Sequence, residues 1–167
     1  MRHNVGSTVD VGVEVVTLFV VAVLFNYAWE LAQSPLYTEM DSARTVWWHC
    51  FVGSLGDGLL VLLIFAAGWM VLHQQDWFVS PGVRGYAVML ATGLVMSVGI
   101  EWIAVHIVGR WAYTEHMPLV PGLDVGLVPI LQLLVLPPLI FWVAAAWERV
   151  RRSSRARRSR GRRSKAA

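Results

Sequence analysis

Acidic residues interrupt three stretches of this sequence that are otherwise apolar. Glu30, Asp57 and Glu101 lie in different stretches, and the amide residue Gln132 lies in a fourth. An ionisable residue inside a membrane costs free energy and usually faces the protein interior or an aqueous cavity. Burial or a nearby charge can bring a carboxyl group to exchange protons near neutral pH, which suits general acid–base catalysis. We therefore expect Glu101, Glu30 and Asp57 to be the candidate catalytic carboxyls of one pocket.

The spacing of polar residues in the first two apolar stretches indicates that they share this site. Asn26, Glu30 and Gln33 recur at intervals of four and three residues, which places them on one face of a helix. His49 and Asp57 are eight residues apart and also share a helical face. We expect these side chains to face one interior. For Asn26, as for Gln132, the alternative is a hydrogen bond that only joins two helices.

The third apolar stretch carries Glu101 and His106, which diverge by about 140° on a regular helix that turns ~100° per residue. They can face one centre only if the helix is irregular there; otherwise His106 lies near the membrane surface. Trp102 is a candidate wall of an apolar pocket or an ordinary packing residue, and Arg110 is a candidate cation for the carboxyls. The supporting residues of the predicted site are His49, His106, Arg110, Asn26, Gln132 and Trp102.

Metal binding is a second chemistry that these residue types allow. Glu30, His49, Glu101 and His106 are acceptable oxygen and imidazole ligands. The sequence lacks the H-x-x-x-H or E-x-x-H spacing that marks helical metal sites. We therefore assign no metal, and the absence of a cofactor-binding motif leads us to expect no cofactor.

The four apolar stretches are long enough to position these residues inside a bilayer, since a spanning helix needs roughly 20 apolar residues. Only 15% of the chain is charged, against about 25% in a soluble domain. Prolines, glycines and charged residues separate the stretches. The fold class that we predict is an all-α polytopic membrane protein with four transmembrane helices in an antiparallel bundle. The predicted spans are Val13–Gln33, Val46–Leu72, Tyr86–Val108 and Val125–Trp147.

A basic tail follows the last predicted span and sets its orientation. Residues 148–167 hold ten of the fourteen Lys and Arg residues, so the chain divides into a transmembrane domain, 1–147, and a tail that we expect to be disordered. The positive-inside rule puts this tail in the cytoplasm. Four spans then put the N-terminus there too, with the connections Ser34–Thr45 and Gly109–Asp124 outside. Glu30, Asp57, Glu101 and Gln132 all fall toward that outer side.

The tail also predicts a partner. Basic residues near a membrane surface attract anionic lipids at about 1 kcal/mol each. The alternative, nucleic-acid binding, also uses arginine runs. The tail has no aromatic residue that could stack on bases. We therefore expect anionic lipid, and not nucleic acid, to be its partner.

One segment resembles a known family. Glu101-Trp102, Gly109-Arg110-Trp111-Ala112-Tyr113, Pro118 and Pro121 resemble a glutamate, G-x-W-x-Y, proline pattern of membrane carotenoid-modifying enzymes, including small lycopene cyclase subunits and carotenoid hydratases. The further acidic motifs of those families are not evident in this sequence. The whole chain, with Asn26–Glu30 and Pro35–Tyr37, is similar to small bacterial membrane proteins of uncharacterised function, which implies a multi-pass protein of the bacterial cytoplasmic membrane and no particular activity.

The residues leave three classes of function open. The first is an enzyme that performs acid–base chemistry on a lipid or isoprenoid, which would be a lipid-like ligand drawn from the bilayer. The second is a non-enzymatic carrier or sensor of a proton or a small polar ligand, using the same carboxyls. The third is an accessory membrane subunit whose polar groups pack helices or bind a partner. A polar site confined to the outer half of the membrane argues against a conduction path, which needs polar groups throughout.

Overall fold

Long helices make up most of the molecule. The structure, a computed structural model, describes residues 5–38 and 43–164, so residues 39–42 of the predicted outer connection and residues 165–167 of the tail lie outside it. The long helices are α1 (Val5–Gln33), α2 (Ala43–Leu72), α3 (Gly82–Trp102) and α4 (Leu127–Ser164). Single 3-10 turns follow α1 at Ser34–Leu36 and precede α3 at Trp77–Val79. A π-helix, Ile103–Val108, continues α3.

All four predicted spans are confirmed as helices that are long and apolar enough to cross a membrane. They cover Val11–Leu36, Val46–Leu72, Gly82–Val108 and Leu127–Ser154. Large apolar side chains remain exposed along them, among them Leu24 at 65%, Met70 at 68% and Val95 at 73%. An apolar exterior of this extent is not expected of a protein surrounded by water, whereas lipid covers it without cost.

The helices pack in a ring: α1 contacts α2 and α4, and α3 contacts the same two helices. Their inward faces form one hydrophobic core, to which α1 contributes Leu18 and α4 contributes Phe141. Trp77 enters this core from the connection between α2 and α3. Its ring lies against Gly68, where a Cβ atom would overlap it, and its Nε1 donates to the Phe65 carbonyl oxygen at 3.1 Å.

Two helices approach each other closely where a glycine of α3 meets the backbone of α4. A Cβ atom on Gly93 would overlap the carbonyl oxygen of Leu133. Small residues of this kind allow membrane helices to bring their backbones together. This contact fixes α3 against the part of α4 that carries Gln132, which immediately precedes Leu133 in the chain.

The connection after α3 forms a compact cap. The π-helix ends at Gly109, whose φ of 60° is a left-handed conformation that glycine adopts without strain. Farther on, β1 (Leu119–Val120) pairs antiparallel with β2 (Val125–Gly126), an element that the all-α prediction did not contain. The connection also pairs with the end of α1, through a β-bridge between Tyr37 and Tyr113. We call this end of the molecule the site end.

The last helix continues into the basic tail. α4 runs from Leu127 to Ser164. Ion pairs account for the continuation: Arg152 Nε lies 2.9 Å from Glu148 Oε1, and Arg151 Nε lies 2.9 Å from Glu148 Oε2. Pairs three and four residues apart stabilise a helix, so the first basic residues of the tail extend α4 beyond the apolar span.

Candidate functional site

Gln132 is the centre of a hydrogen-bonded group that joins three helices. Its Nε2 lies 2.8 Å from Asn26 Oδ1 on α1, 2.8 Å from Asp57 Oδ2 on α2 and 3.2 Å from Glu30 Oε1 on α1. Asn26 and Gln132 are almost completely buried, at 0% and 3% exposure. The structure therefore brings together four of the residues that the sequence predicted for the site.

Gln33 completes this group, although the sequence predicted it only as part of the α1 stripe. Its Nε2 donates to Glu30 Oε1 at 2.8 Å and to Gln132 Oε1 at 3.0 Å. Its own carbonyl oxygen accepts a hydrogen bond from Trp29 Nε1 at 3.1 Å. The amide–carboxyl cluster, as we name it, thus consists of Asn26, Glu30, Gln33, Asp57 and Gln132.

Local backbone features aim these side chains at one another. The 3.6-residue repeat of α1 stacks Asn26, Glu30 and Gln33 on one face. Asn26 Nδ2 donates to the Ala22 carbonyl oxygen at 2.8 Å, which leaves its Oδ1 directed at Gln132. On α2, a Cβ atom at Gly53 would lie 3.4 Å from Glu30 Oε2, so the absent side chain there leaves room for the Glu30 carboxyl.

Glu101 lies in a separate group of aromatic residues. Its Oε2 accepts a hydrogen bond from the Tyr113 hydroxyl and another from Trp111 Nε1 at 3.4 Å. The carboxyl is 5% exposed. The Tyr37 ring lies 6.3 Å from that of Trp111 and 5.7 Å from that of Tyr113, between ring centroids. We call Glu101, Tyr37, Trp111 and Tyr113 the Glu101 site.

The backbone of the connection holds these aromatic residues in place. Thr38 N donates to the Ala112 carbonyl oxygen at 3.1 Å, and Thr114 N donates to that of Leu36 at 2.9 Å, on either side of Tyr113. Gly126 of β2 packs against the Tyr113 ring, which a Cβ atom at Gly126 would approach to 3.1 Å. The hairpin of β1 and β2 therefore positions the phenol that contacts Glu101.

Both tyrosines of the Glu101 site keep their protons more tightly than a free phenol. Burial, and then the hydrogen bond with Glu101, raises the pKa of Tyr113 above its ordinary value. Burial also raises the pKa of Tyr37, with further contributions from the charges of Glu101 and Glu30. Tyr37 therefore lies within electrostatic reach of both groups, and the amide–carboxyl cluster and the Glu101 site are neighbours at the site end.

The remaining predicted residues are all exposed. His106 is exposed, and its Nε2 lies 3.0 Å from the Leu123 carbonyl oxygen. Trp102 is 45% exposed and packs beside the His106 ring, at 5.7 Å between centroids. Arg110 and His49 are exposed. The π-helix Ile103–Val108 is the irregularity that Glu101 and His106 would need in order to face one centre. His106 nevertheless contacts the connection between β1 and β2, and not Glu101.

No group of three or more His, Cys, Asp or Glu residues that could hold a metal ion occurs within residues 5–38 and 43–164. The carboxyls are held instead by neutral donors, which are the amides of Gln33 and Gln132, the indole of Trp111 and the phenol of Tyr113. This arrangement suits the binding and release of protons. It can also accept or donate hydrogen bonds to a polar group of a ligand.

A second polar group, which the sequence did not predict, lies at the opposite end of the bundle. Arg152 contacts three acids there: Nε lies 2.9 Å from Glu148 Oε1, Nη1 lies 3.3 Å from Asp76 Oδ2, and Nη2 lies 3.8 Å from Glu14 Oε1. Glu14 and Glu148 also line a small cavity with Thr17, Phe78, Ala144 and Trp147. This ion-pair group joins α1, α4 and the α2–α3 connection.

The spans and the buried polar groups define the class of protein: a multi-pass helical membrane protein with carboxyl groups inside its helix bundle. Comparisons of the chain with known protein families, with curated proteins and with solved structures found no match.

Proposed function

We propose that this protein performs acid–base chemistry on a lipid or isoprenoid substrate, with Glu101 as the group that exchanges a proton with it. The observation that carries the proposal is the placement of both described donors, Tyr113 and Trp111, on one oxygen of the Glu101 carboxyl. Glu30 and Asp57 are its neighbouring carboxyls. No sequence motif for a cofactor is needed, because proton transfer requires only a positioned acid or base.

The two carboxyl oxygens of Glu101 have different roles in this proposal. Oε2 accepts the two hydrogen bonds and is held in place by them. In the neutral acid the proton then belongs on Oε1, because a protonated oxygen would compete with both donors. Oε1 delivers the proton to the substrate or receives one from it, while Tyr113 and Trp111 stabilise the carboxylate that forms.

The surroundings of Glu101 favour an apolar substrate. Glu101 lies in a span, and the next residues, Trp102 and Ile103, are 45% and 49% exposed on the outer surface of the bundle. A lipid or isoprenoid dissolved in the bilayer reaches that surface directly. The resemblance of Glu101–Pro121 to carotenoid-modifying enzymes points to the same class of substrate, and Trp111 and Tyr113 of that pattern are the residues that contact Glu101.

We also propose the location and orientation of the protein. The cytoplasmic membrane of a bacterium, an antiparallel arrangement of the four helices, and both termini in the cytoplasm account for the basic residues after the last span. The site end then lies toward the outer surface. Basic residues of the tail bind anionic lipid on the cytoplasmic side, whereas Arg152 is already engaged by three acids.

Lipid analysis of a deletion strain tests the enzymatic proposal. Loss of the gene should cause one lipid or isoprenoid to accumulate and its product to disappear, and the wild-type gene should restore both. Glu101→Gln keeps the shape of the side chain but removes its exchangeable proton, so the variant should be made at normal levels and restore nothing. Glu115→Gln is the matched control, because the Glu115 side chain is 89% exposed and should be dispensable. An unchanged lipid profile in the deletion strain, or full restoration by Glu101→Gln, would exclude the proposal.

The second candidate is a carrier or sensor of a proton or a small polar ligand. The bonds from Gln132 to both α1 and α2 favour it, since a change in protonation of Glu30 or Asp57 would alter contacts among three helices. The deletion strain separates the two candidates. A sensor or carrier leaves the lipid profile unchanged, and its loss is rescued by Glu101→Gln but not by Asp57→Asn.

A further inference from the structure

We infer that Glu30 and Asp57 form one proton-binding site inside the bundle, in which a single proton is shared between the two carboxyl groups and Gln132 holds them together. This site goes beyond the proposed function, because its proton is distinct from the one that Glu101 exchanges. The ligand is the proton itself, and the contact that it maintains joins α1, α2 and α4.

The geometry of Gln132 brings the two carboxyls together. One nitrogen atom, Gln132 Nε2, lies 2.8 Å from Asp57 Oδ2 and 3.2 Å from Glu30 Oε1. Two carboxyl oxygens that contact the same nitrogen atom necessarily belong to neighbouring groups. An ionised carboxylate has no hydrogen to donate, so a hydrogen bond between Glu30 and Asp57 requires a proton on one of the two groups.

The available donors and acceptors favour one shared proton over two protons or none. With no proton, two negative charges would both contact the Gln132 amide nitrogen in a medium of low dielectric constant, which is strongly unfavourable. With two protons, one hydroxyl could donate to the partner carboxyl, but the second would need another acceptor. A doubly protonated pair would also leave the Gln132 and Gln33 amide hydrogens bonded to neutral oxygens, which are weaker acceptors than a carboxylate.

Neutral donors stabilise the single negative charge that remains. The Gln132 amide has two hydrogens and three acceptors within reach, and the Gln33 amide adds a hydrogen bond to Glu30 Oε1 at 2.8 Å. Charge-assisted hydrogen bonds of this kind are about twice as strong as bonds between neutral groups. Gln132 is therefore a positioning residue for the shared proton.

Other titratable groups surround the pair but do not take part in its hydrogen bonds. Glu101 approaches from α3, Tyr37 from the segment after α1, and Cys50 from α2, each close enough for an electrostatic interaction with Glu30. The hydrogen bonds described for Glu101 go to Tyr113 and Trp111. The shared proton and the Glu101 proton thus belong to two separate sites.

Infrared spectroscopy of the purified full-length protein in lipid vesicles tests the inference. At neutral pH the spectrum should contain the C=O stretch of a protonated carboxyl that shifts in D2O and persists in Glu101→Gln. The double variant Glu30→Gln/Asp57→Asn should lose this band completely. Gln132→Met should shift it, because the amide that holds the pair is gone. Glu115→Gln is the control and should leave the band unchanged, because the Glu115 side chain is exposed.

The results that would overturn the inference do not depend on the folding of any one variant. A wild-type spectrum that contains only carboxylate bands at neutral pH excludes a shared proton. A band that disappears in Glu101→Gln and is unaffected by Gln132→Met belongs to Glu101. These outcomes leave the proposed function untouched, whereas restoration of the lipid profile by Glu101→Gln would exclude that function and leave the infrared band of the pair in place.

Discussion

The acidic residues at the site end are stabilised in two different ways. Glu30 and Asp57 are held by the flexible amides of Gln33 and Gln132, whose nitrogen and oxygen atoms serve as donor and acceptor. Glu101 is held by donors on rigid aromatic rings. Rigid donors fix the position of a reacting group, which favours catalysis. Amides adapt to a change in charge, which suits a group that binds and releases a proton.

Removal of the Tyr113 hydroxyl isolates the contribution of one of these donors. Tyr113→Phe keeps the ring, and with it the contact with Tyr37, but leaves Glu101 Oε2 with Trp111 as its described donor. We expect the free energy of unfolding to fall by about 1 kcal/mol, the usual net value of one hydrogen bond. Thermal unfolding in detergent measures this change. The control is Tyr86→Phe, since Tyr86 is 45% exposed; an equal loss in both variants would contradict the assigned bond.

The raised pKa values of Tyr37 and Tyr113 predict a loss of stability at alkaline pH. In the unfolded chain both phenols ionise near their ordinary pKa of 10.0, whereas the folded chain keeps both protons. The folded state therefore binds more protons above about pH 10, and its stability falls as the pH rises through that value. Below it the contribution is fully present. Unfolding midpoints measured on both sides of pH 10 should show a smaller decline in Tyr113→Phe than in the wild-type protein.

The amide–carboxyl cluster could largely be predicted from the sequence, whereas the contacts within the Glu101 site could not. Asn26 and Glu30 follow the helical repeat, and Asp57 and Gln132 are polar residues in apolar spans, so each carries a local signal. Tyr37 and Tyr113 are aromatic residues near predicted membrane surfaces, where such residues are common. Tertiary contacts, among them the β-bridge between these two tyrosines, direct Tyr113 toward Glu101.

Among the elements, the extent and order of the helices could be predicted, but their irregular parts could not. Long apolar runs require helices in a bilayer because every backbone polar group needs a partner within its own segment. The π-helix at Ile103–Val108 and the hairpin of β1 and β2 depend on tertiary contacts instead. The ion-pair group at the opposite end of the bundle also depends on tertiary contacts, because Arg152 contacts Glu14 and Asp76, which are distant from it in the sequence.

The contact between α3 and α4 predicts a sharp difference between two glycines of the same helix. A methyl group at Gly93 would overlap the Leu133 carbonyl oxygen, whereas nothing lies within 4 Å of the Cβ position at Gly99. We expect Gly93→Ala to destabilise the protein by about 1–3 kcal/mol, the usual cost of overpacking. Gly99→Ala should be neutral or slightly stabilising, because alanine favours helix. Unfolding in detergent measures both, and similar values for the two variants would contradict the close approach.

The side of the membrane toward which the site end lies depends on the proposed orientation of the whole molecule. A reporter protein fused after Ala167 should be active in the form that reports the cytoplasm, and so should one fused before Met1. A reporter inserted in the turn between β1 and β2, residues 121–124, should report the opposite side. The physical reason is the cluster of basic residues after the last span, which resist translocation. A C-terminal reporter on the outer side would place the carboxyls near the cytoplasm instead.

The close approach of Gly93 to Leu133 has a consequence for the stiffness of α4. Pro137 and Pro138 lie inside this helix and have no backbone N–H, so the carbonyl oxygens of Leu133 and Leu134 lose their usual helical donors. The Leu133 carbonyl oxygen, against which Gly93 packs, therefore has no regular hydrogen-bond donor within α4. Because the carbonyl oxygens of Leu133 and Leu134 both lack a helical donor, α4 is easier to bend immediately after Gln132. The contact with Gly93 therefore holds α3 against a part of α4 that its own hydrogen bonds leave less stiff.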